Sequence, residues 1–393
     1  MRLLIITFYY PPDLSAGSFR VRELVKSLQI KERNLDIHVI TTQPNRYHEL
    51  SNDFKIIEKF KQLTIHRLTI PRHKNTMFGQ IISFSIFALK ALKFTRKKKW
   101  DYIFSTSSRL MTAFLSALIS NKSNTPLFLD IRDIFSDTMK SYYNNFFIKL
   151  LLPLINSIEK YTIKAAKKIY FVSPAFPHYF KKYDPSLRYK IITNGIDDEF
   201  LNFDFKKELT QKNSKKIILY AGNVGEGQGL ENILPKLAKN LKNNFVIWVV
   251  GSGGKLLVLK EKVKKMKLEN IIFFPPVNRE KLKKIYKDID ILFLHLNSYS
   301  SNKKVLPSKI FEYGAIGKPI IAGVFGESYN FMKKELPNCY FFDPLNYKKI
   351  IKKINSNEII VTELNEKFKK KFNRKKIMNE FTNDILNEMK SLK

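Results

Sequence analysis

"VLPSKIFEYGAIGKPIIAG", Val305–Gly323, holds a start signal, a short helical run, a stop signal and a strand. Ser308 predicts an N-cap, and Lys309–Ile316 about two turns of helix. Gly317 supplies a left-handed stop, and Pro319 prevents continuation. "PIIAG" then reads as a buried strand. A tight turn opening a helix leaves backbone N–H groups without intrahelical partners, and those suit an anion. Lys303, Lys304 and Lys309 add positive charge at this point, and Glu312, one turn in, suits a ribose diol. A capped surface helix with solvated lysines accounts for the same residues without a ligand.

The same strand and helix signals alternate along the chain. Early strands include "RLLIITFY", "DIHVITT", "LTIHRLTI", "DYIFST" and "PLFLDI". Late ones include "KKIILYAG", "FVIWVVG", "IIFFPPV", "IDILFLHL" and "KPIIAG". Helical runs such as "GSFRVRELVKSLQI" and "KLLVLKEKVKKMKL" lie between them. Val/Ile/Leu-rich strands alternating with helices predict an α/β protein with parallel sheets covered on both faces. A chain of 393 residues exceeds one ordinary core, so two doubly wound domains are expected. The polar run "NFDFKKELTQKNSKK" (Asn202–Lys216) interrupts the alternation and reads as the linker, giving domains 1–202 and 203–375. The run from about Glu363 to Lys393 reads as helical and lysine-rich, and its end, 376–393, is expected to be a helix crossing back onto the first domain.

Hydrophobic content of 44% and 13% aromatics describe a globular chain. The single cysteine, Cys339, rules out an intramolecular disulfide framework and fits a reducing, cytoplasmic compartment. "MRLLIITFYYPP" has a short apolar core and no small-residue cleavage site, so it reads as a first strand. The formal charge of +35 suits nucleic acid, an anionic membrane surface, or an ordinary enzyme enriched in lysine. The lysines are spread along the chain without an arginine-rich arm, zinc-ligand spacing or helix-turn-helix signal, which sets nucleic acid behind the other two. No window of about 18 uninterrupted apolar residues exists to span a bilayer. "MFGQIISFSIFALKALKF" (Met77–Phe94), followed by Arg96–Lys99, and "FFIKLLLPLINSIEKYTIKAAKKI" (Phe146–Ile169) come nearest. Each reads either as a core helix with a lysine face or as a helix lying on an anionic membrane.

Glycine and small-residue loops follow several strands. "PPDLSAGSFRVREL" (Pro11–Leu24) places Ser15, Ala16, Gly17 and Ser18 after the first strand, where open α/β sheets bind ligands. "LYAGNVGEGQGLENIL" (Leu219–Leu234) carries Gly222, Gly225, Gly227 and Gly229, too many for an ordinary turn. Its spacing departs from the dinucleotide fingerprint, so a backbone cradle for a diphosphate is the reading. "GSGGK" (Gly251–Lys255) follows the next strand and can line the same crevice. "LFLDIRDIFSD" (Leu127–Asp137) ends a strand with Asp130, Arg132, Asp133 and Asp137, either for sugar hydroxyls or as an ion pair capping a helix. The six histidines lack metal spacing, and no Gly-x-Ser-x-Gly elbow or Walker sequence is present.

Taken together, these motifs resemble the retaining family-four glycosyltransferases of the GT-B fold. Enzymes building bacterial O-antigen, capsule and related polysaccharides look most similar. "YYPPDLSAGSFR", "DIRDIFSD", "ITNGID" (Ile192–Asp197), "LYAGNVGEGQGLENIL", "VVGSGG" and "LPSKIFEYGAIGKPIIAG" carry the resemblance. It implies two Rossmann-like domains facing a cleft, a nucleotide-sugar donor, retention of configuration and no metal or other cofactor. It places the donor beside Gly17, Gly222, Asn223, Gly225, Gln228, Gly251, Val277, Lys304, Pro307, Ser308, Lys309 and Glu312. Catalytic roles fall to Asp133, Lys309 and Glu312, and the acceptor side to Ser15, Arg20, Asp130 and Arg132. Glu312 matches the second glutamate of the family's acidic pair, whereas Lys304 stands where the first would be. Asn223 and Gln228 stand where many members have the Arg and Lys that grip the diphosphate, and Lys303, Lys304 and Lys309 compensate in charge. The implied reaction moves a sugar from a UDP-linked donor to a polyprenyl-diphosphate-linked or growing glycan, peripherally on the cytoplasmic face of the inner membrane. A GT-B epimerase or phosphorylase, or a nucleic-acid-binding protein, is the alternative.

Overall fold

The structure is a computed structural model of the full chain. It describes all residues except 14, 45–54, 72–76, 108, 144–145, 206–214, 345, 357–358, 360–365 and 393. The middle of the expected linker, 206–214, therefore lies outside the described residues. The chain divides into two compact units, Met1–Asn194 with Lys375–Lys393, and Gly195–Arg374.

The strands of the first unit are β1 (Arg2–Ile6), β2 (Asp36–Thr42), β3 (Ile57–Lys59), β4 (Leu63–Leu68), β5 (Tyr102–Thr106), β6 (Leu127–Ile131), β7 (Ala166–Phe171) and β8 (Tyr189–Ile191). Its helices are α1 (Ala16–Lys31), α2 (Met77–Thr95), α3 (Leu110–Ser123), α4 (Phe135–Tyr142), α5 (Phe146–Lys164) and α6 (Phe176–Phe180). The sheet order is β3-β4-β2-β1-β5-β6-β7-β8, parallel except where the short edge strand β3 runs against β4. β1 and β6 are almost wholly buried because helices cover both faces of the sheet, which is why they read as continuous apolar runs.

The second unit contains β9 (Lys216–Ala221), β10 (Phe245–Val250), β11 (Ile271–Phe274), β12 (Ile291–His295), β13 (Ile320–Gly323) and β14 (Cys339–Phe341). Its helices are α7 (Asp198–Leu201), α8 (Leu230–Leu241), α9 (Leu256–Lys265), α10 (Arg279–Asp288), α11 (Ser308–Ile316), α12 (Glu327–Glu335), α13 (Lys348–Asn355) and α14 (Glu366–Lys371). The order β11-β10-β9-β12-β13-β14 is parallel throughout. The order reverses between β1 and β5 in one sheet and between β9 and β12 in the other. At such switch points the carboxyl ends of the strands leave a crevice for a ligand.

The last helix, α15 (Arg374–Ser391), belongs to the first unit from Lys375 onward. Tyr170 donates to Asp384 Oδ2 at 2.9 Å, Lys168 reaches Asp384 at 2.7 Å, and Phe381 packs on Tyr170 with ring centroids 4.5 Å apart. At the edge of the second unit Ile196 bridges Asn373. Asp197 there takes Arg374 and Arg279, each at 2.6 Å.

Candidate active site

In the second unit the switch point is built by glycines that let two loops touch backbone to backbone. Gly222 donates its N–H to Val250 O at 2.9 Å, and Val224 donates to Ser252 O at 2.9 Å. A β-carbon on Gly251 would overlap the carbonyl oxygen of Gly222, so only glycine permits this approach. The β9 loop is also tied to the segment after β12. Asn297 N–H donates to Gly227 O at 2.8 Å, Asn302 Nδ2 to the same oxygen at 3.1 Å, and His295 Nδ1 lies 2.6 Å from Gln228 O. Burial pushes His295 down to about 4, against the effect of that carbonyl.

Against this turn lies the first turn of α11. Its N-cap is Pro307, in extended conformation, and Ser308 is already helical and makes no side-chain capping bond. The expected cap at Ser308 is thus displaced by one residue, and the N–H groups of Ser308 and Lys309 begin the helix without an intrahelical partner. Lys309 Nζ stands 3.1 Å from Glu312 Oε1, and Tyr286 of α10 donates its O–H to the same oxygen. Among the described residues Glu312 Oε2 has no partner, so it can take a ligand hydroxyl. Burial, then the charge of Glu312, raises the Tyr286 phenol well above its ordinary range, keeping it a donor. A β-carbon on Gly222 would stand 3.7 Å from Lys309 Cε, which places the glycine turn directly over the lysine stem. Tyr313 accepts the N–H of Ala221 at 3.1 Å and anchors the same strand end.

Other residues of the sequence-predicted donor set have distinct surroundings. Asn223 Nδ2 donates to Gln228 Oε1 at 3.1 Å, and Gly225 N–H to that oxygen at 3.2 Å. Asn223 and Gln228 therefore form a neutral brace inside the loop. Val277 is half-buried just before Asn278, the N-cap of α10. Lys304 ends the 3-10 turn Ser300–Lys304 and is half-buried, whereas Lys303 is exposed. Gly17 belongs to the first unit, where it is buried in the first turn of α1. Sequence reasoning missed Tyr286, Tyr313 and Asn302, whose partners are distant in the chain. It also missed Glu226, which takes Lys255 at 2.7 Å and Tyr299 at 2.6 Å. Burial opposes ionisation of Glu226, but those two donors bring it below its ordinary value.

In the first unit Ser15 is the N-cap of α1, accepting from Ser18 N–H at 3.1 Å, and it is buried. Arg20 and Asp130 are buried against each other, with Nη2 to Oδ1 at 2.9 Å. Arg20 also donates to Thr193 O and Ile192 O, both at 2.8 Å. These three side chains all address protein atoms. Arg132 N–H donates to Ser107 Oγ at 2.9 Å, and its guanidinium lies 4.0 Å from Asp130. Asp133 alone of the group is exposed. It lines a cavity of about 100 Å³ with Ser107, Arg109, Leu110, Phe135 and Glu159. Crowding by protein pushes Asp133 up to about 6 against the pull of Arg132, and the water it still meets tempers that shift. No group of His, Cys, Asp or Glu among the described residues is placed to hold a metal ion.

Two doubly wound parallel-sheet units with glycine turns at the carboxyl ends define the GT-B class of fold. Solved structures agree. Sucrose-phosphate synthase from Thermosynechococcus elongatus superposes with a TM-score of 0.73 over 100% of both chains at 14% identity. HepE of Anabaena, crystallised with UDP and glucose, gives 0.70 over 98% of this chain and 99% of its own at 15% identity. Residues 202–374 match the family model "Glycosyl transferases group 1", so the second unit carries a group 1 glycosyltransferase domain. WcaI of Escherichia coli (strain K12), a glycosyl transferase assigned by name to colanic acid biosynthesis, is 23% identical over 340 residues, 81% of this chain and 82% of that protein.

Proposed function

We propose that the protein transfers a sugar from a UDP-linked donor to a hydroxyl of a lipid-linked or growing glycan in surface-polysaccharide biosynthesis, of the O-antigen, capsule or lipopolysaccharide kind. Configuration at the anomeric carbon is retained and no metal takes part. The observation that carries this reading is the Lys309–Glu312–Tyr286 group beneath the Gly222 turn at the switch point of the second sheet. Glu312 Oε2 accepts from the ribose diol. The N–H groups opening α11, with Lys309, receive the diphosphate. Lys309 exchanges its internal partner for the phosphate oxygens, and the glycines let the chain approach without side-chain obstruction.

In the reaction the bond from the anomeric carbon to the diphosphate oxygen breaks, and the electron pair leaves with the UDP. The acceptor oxygen attacks from the same face, and its proton passes to the departing phosphate. The enzyme's largest contribution is then stabilisation of the leaving negative charge by fixed amides and an ammonium. Asp133, on the first unit, orients acceptor hydroxyls. Support for a UDP-sugar comes from the ligands named for HepE, and support for a polysaccharide acceptor from the name of WcaI. A polyprenyl-diphosphate-linked acceptor brings the protein to the cytoplasmic face of the inner membrane as a peripheral enzyme. Calorimetry with UDP-, GDP- and ADP-sugars tests the donor, with micromolar binding of a UDP-sugar expected. Binding of none of them would reject the reading, and proton NMR of the product tests retention.

A further inference from the structure

Of the ten residues of α10, all of them described, Tyr286 alone is fully buried. Its ring is fixed by Phe200, Phe205 and Tyr313, whose centroids lie 6.1, 6.2 and 6.2 Å away at interplanar angles of 66°, 74° and 86°. A phenylalanine would fill the same space. Burying a hydroxyl as well is unfavourable unless the hydroxyl has a hydrogen-bond partner. The partner is Glu312 Oε1, to which the Tyr286 O–H donates. The hydroxyl of Tyr313, on one side of that ring, is engaged elsewhere, accepting the Ala221 N–H at 3.1 Å. Packing therefore fixes where the Tyr286 hydroxyl stands, and the hydroxyl fixes where the carboxylate stands.

Glu312 Oε1 is shared between two donors of unequal freedom. Lys309 Nζ lies 3.1 Å from it and 3.5 Å from the Tyr286 hydroxyl. Lys309 and Glu312 are each about one-fifth exposed, and the lysine ammonium rides on a flexible four-carbon stem. Tyr286 is wholly enclosed. When the lysine turns to a diphosphate, Glu312 loses its ion-pair partner. A partly exposed carboxylate with no other donor would then swing toward water. Arg279, whose charge also feels Glu312, does not take the place of the lysine, because Asp197 holds it at 2.6 Å. Tyr286 is the donor that stays.

We infer that Tyr286 is a positioning residue for ribose recognition: it keeps Glu312 in place, with Oε2 open to the ribose diol, while Lys309 changes partner from Glu312 to the diphosphate. The two ends of the donor are coupled through this exchange. The phosphates draw the lysine away, and the ribose is still met by a carboxylate that has not moved. Glu312 alone would recognise the diol in the absence of phosphate, but would lose its fixed position once the lysine left. The inference rests on the proposed UDP-linked donor and adds the residue on which discrimination of its ribose depends.

The test is calorimetry of the full chain with UDP and with its 2′,3′-dideoxy form, on the parent and on Tyr286→Phe. The parent is expected to prefer UDP by at least about tenfold, the worth of one hydrogen bond to a charged group. In Tyr286→Phe the preference should shrink to about threefold or less, through loss of UDP affinity, with dideoxy affinity near the parent value. A tyrosine that only filled space would weaken both nucleotides alike and leave their ratio intact. Because the site is buried, Tyr286→3-fluorotyrosine provides a second measurement on a side chain of nearly the same shape that keeps the hydroxyl. Its fluorine resonance should move further with UDP than with uridine, since only the diphosphate draws Lys309 from beside the phenol. Equal movement with the two ligands, or a preference for UDP undiminished in Tyr286→Phe, overturns the proposal and leaves the donor reading standing. So does a parent that binds both nucleotides equally. A parent that binds no UDP overturns the donor reading and this proposal together.

Discussion

Lys309 Nζ lies 3.1 Å from Glu312 Oε1, one turn along the same helix, and both side chains are about one-fifth exposed. The lysine stem is thereby held under the Gly222 turn, at the start of α11. If it stabilises the leaving diphosphate, Lys309→Ala should lower kcat by about 10²- to 10³-fold, the usual effect of removing one transition-state donor. Lys309→Arg should recover part of it. Steady-state rates together with an unchanged melting curve provide the check, and near-parental kcat would remove the assignment.

The contact of Gly251 with Gly222 makes a second expectation. Gly251→Ala drives a methyl into a carbonyl oxygen and must displace the loop that covers Lys309. Donor affinity measured by calorimetry should fall at least tenfold. Gly254→Ala, where a β-carbon meets nothing within 4 Å, is the matched control and should bind normally.

Arg20 and Asp130 form a pair whose value is structural. Removing one partner leaves the other charge buried, which typically costs about 3–5 kcal/mol. Asp130→Ala should therefore unfold at markedly lower denaturant than Asp133→Ala, although the two residues are neighbours in sequence. Urea titration followed by circular dichroism compares them directly.

The buried His295 gives a pH expectation. Its ring is held neutral to about 4 in the fold, whereas an unfolded histidine titrates near 6.5. Between these values the unfolded state binds the extra proton, so stability is complete above about 6.5 and declines as pH falls toward 4. His66, pushed to about 4 chiefly by burial, acts in the same direction in the first unit. His295→Phe, stacked between Phe293 and Phe342, should flatten the decline in melting temperature from pH 7 to pH 5.

Asp133 is expected to act on rate. With its carboxyl near 6, kcat/KM should rise through an inflection close to that pH if ionised Asp133 orients the acceptor. Asp133→Asn should lose both the inflection and most of the rate while donor binding persists.

The helix Ser308–Ile316, its left-handed end at Gly317 and the strand after it were legible because their signals are local. So were the parallel sheets, since buried strands must be apolar on both faces. The glycine loops were legible as places of close approach, but not what they approach. Tyr286 reads in sequence as one more apolar position of an amphipathic helix, and only the packing of α10 beside α11 brings its hydroxyl to Glu312. Arg20 and Asp130 are 110 positions apart, so their pairing depends on strand order that no local pattern contains. Ser15 illustrates the opposite confusion. Small polar residues serve ligand loops and helix caps equally well, and only the fold shows Ser15 capping α1.

The bond from Arg374 Nη2 to Gly195 O, 2.8 Å, joins the first and last residues of the second unit. The polypeptide thus leaves and re-enters at a single doorway, so residues 195–374 behave as a self-contained insert in their host. Expressed as a separate piece, that segment should fold cooperatively and bind the proposed UDP-linked donor, which opens ligand screening to a polypeptide less than half the length of the parent.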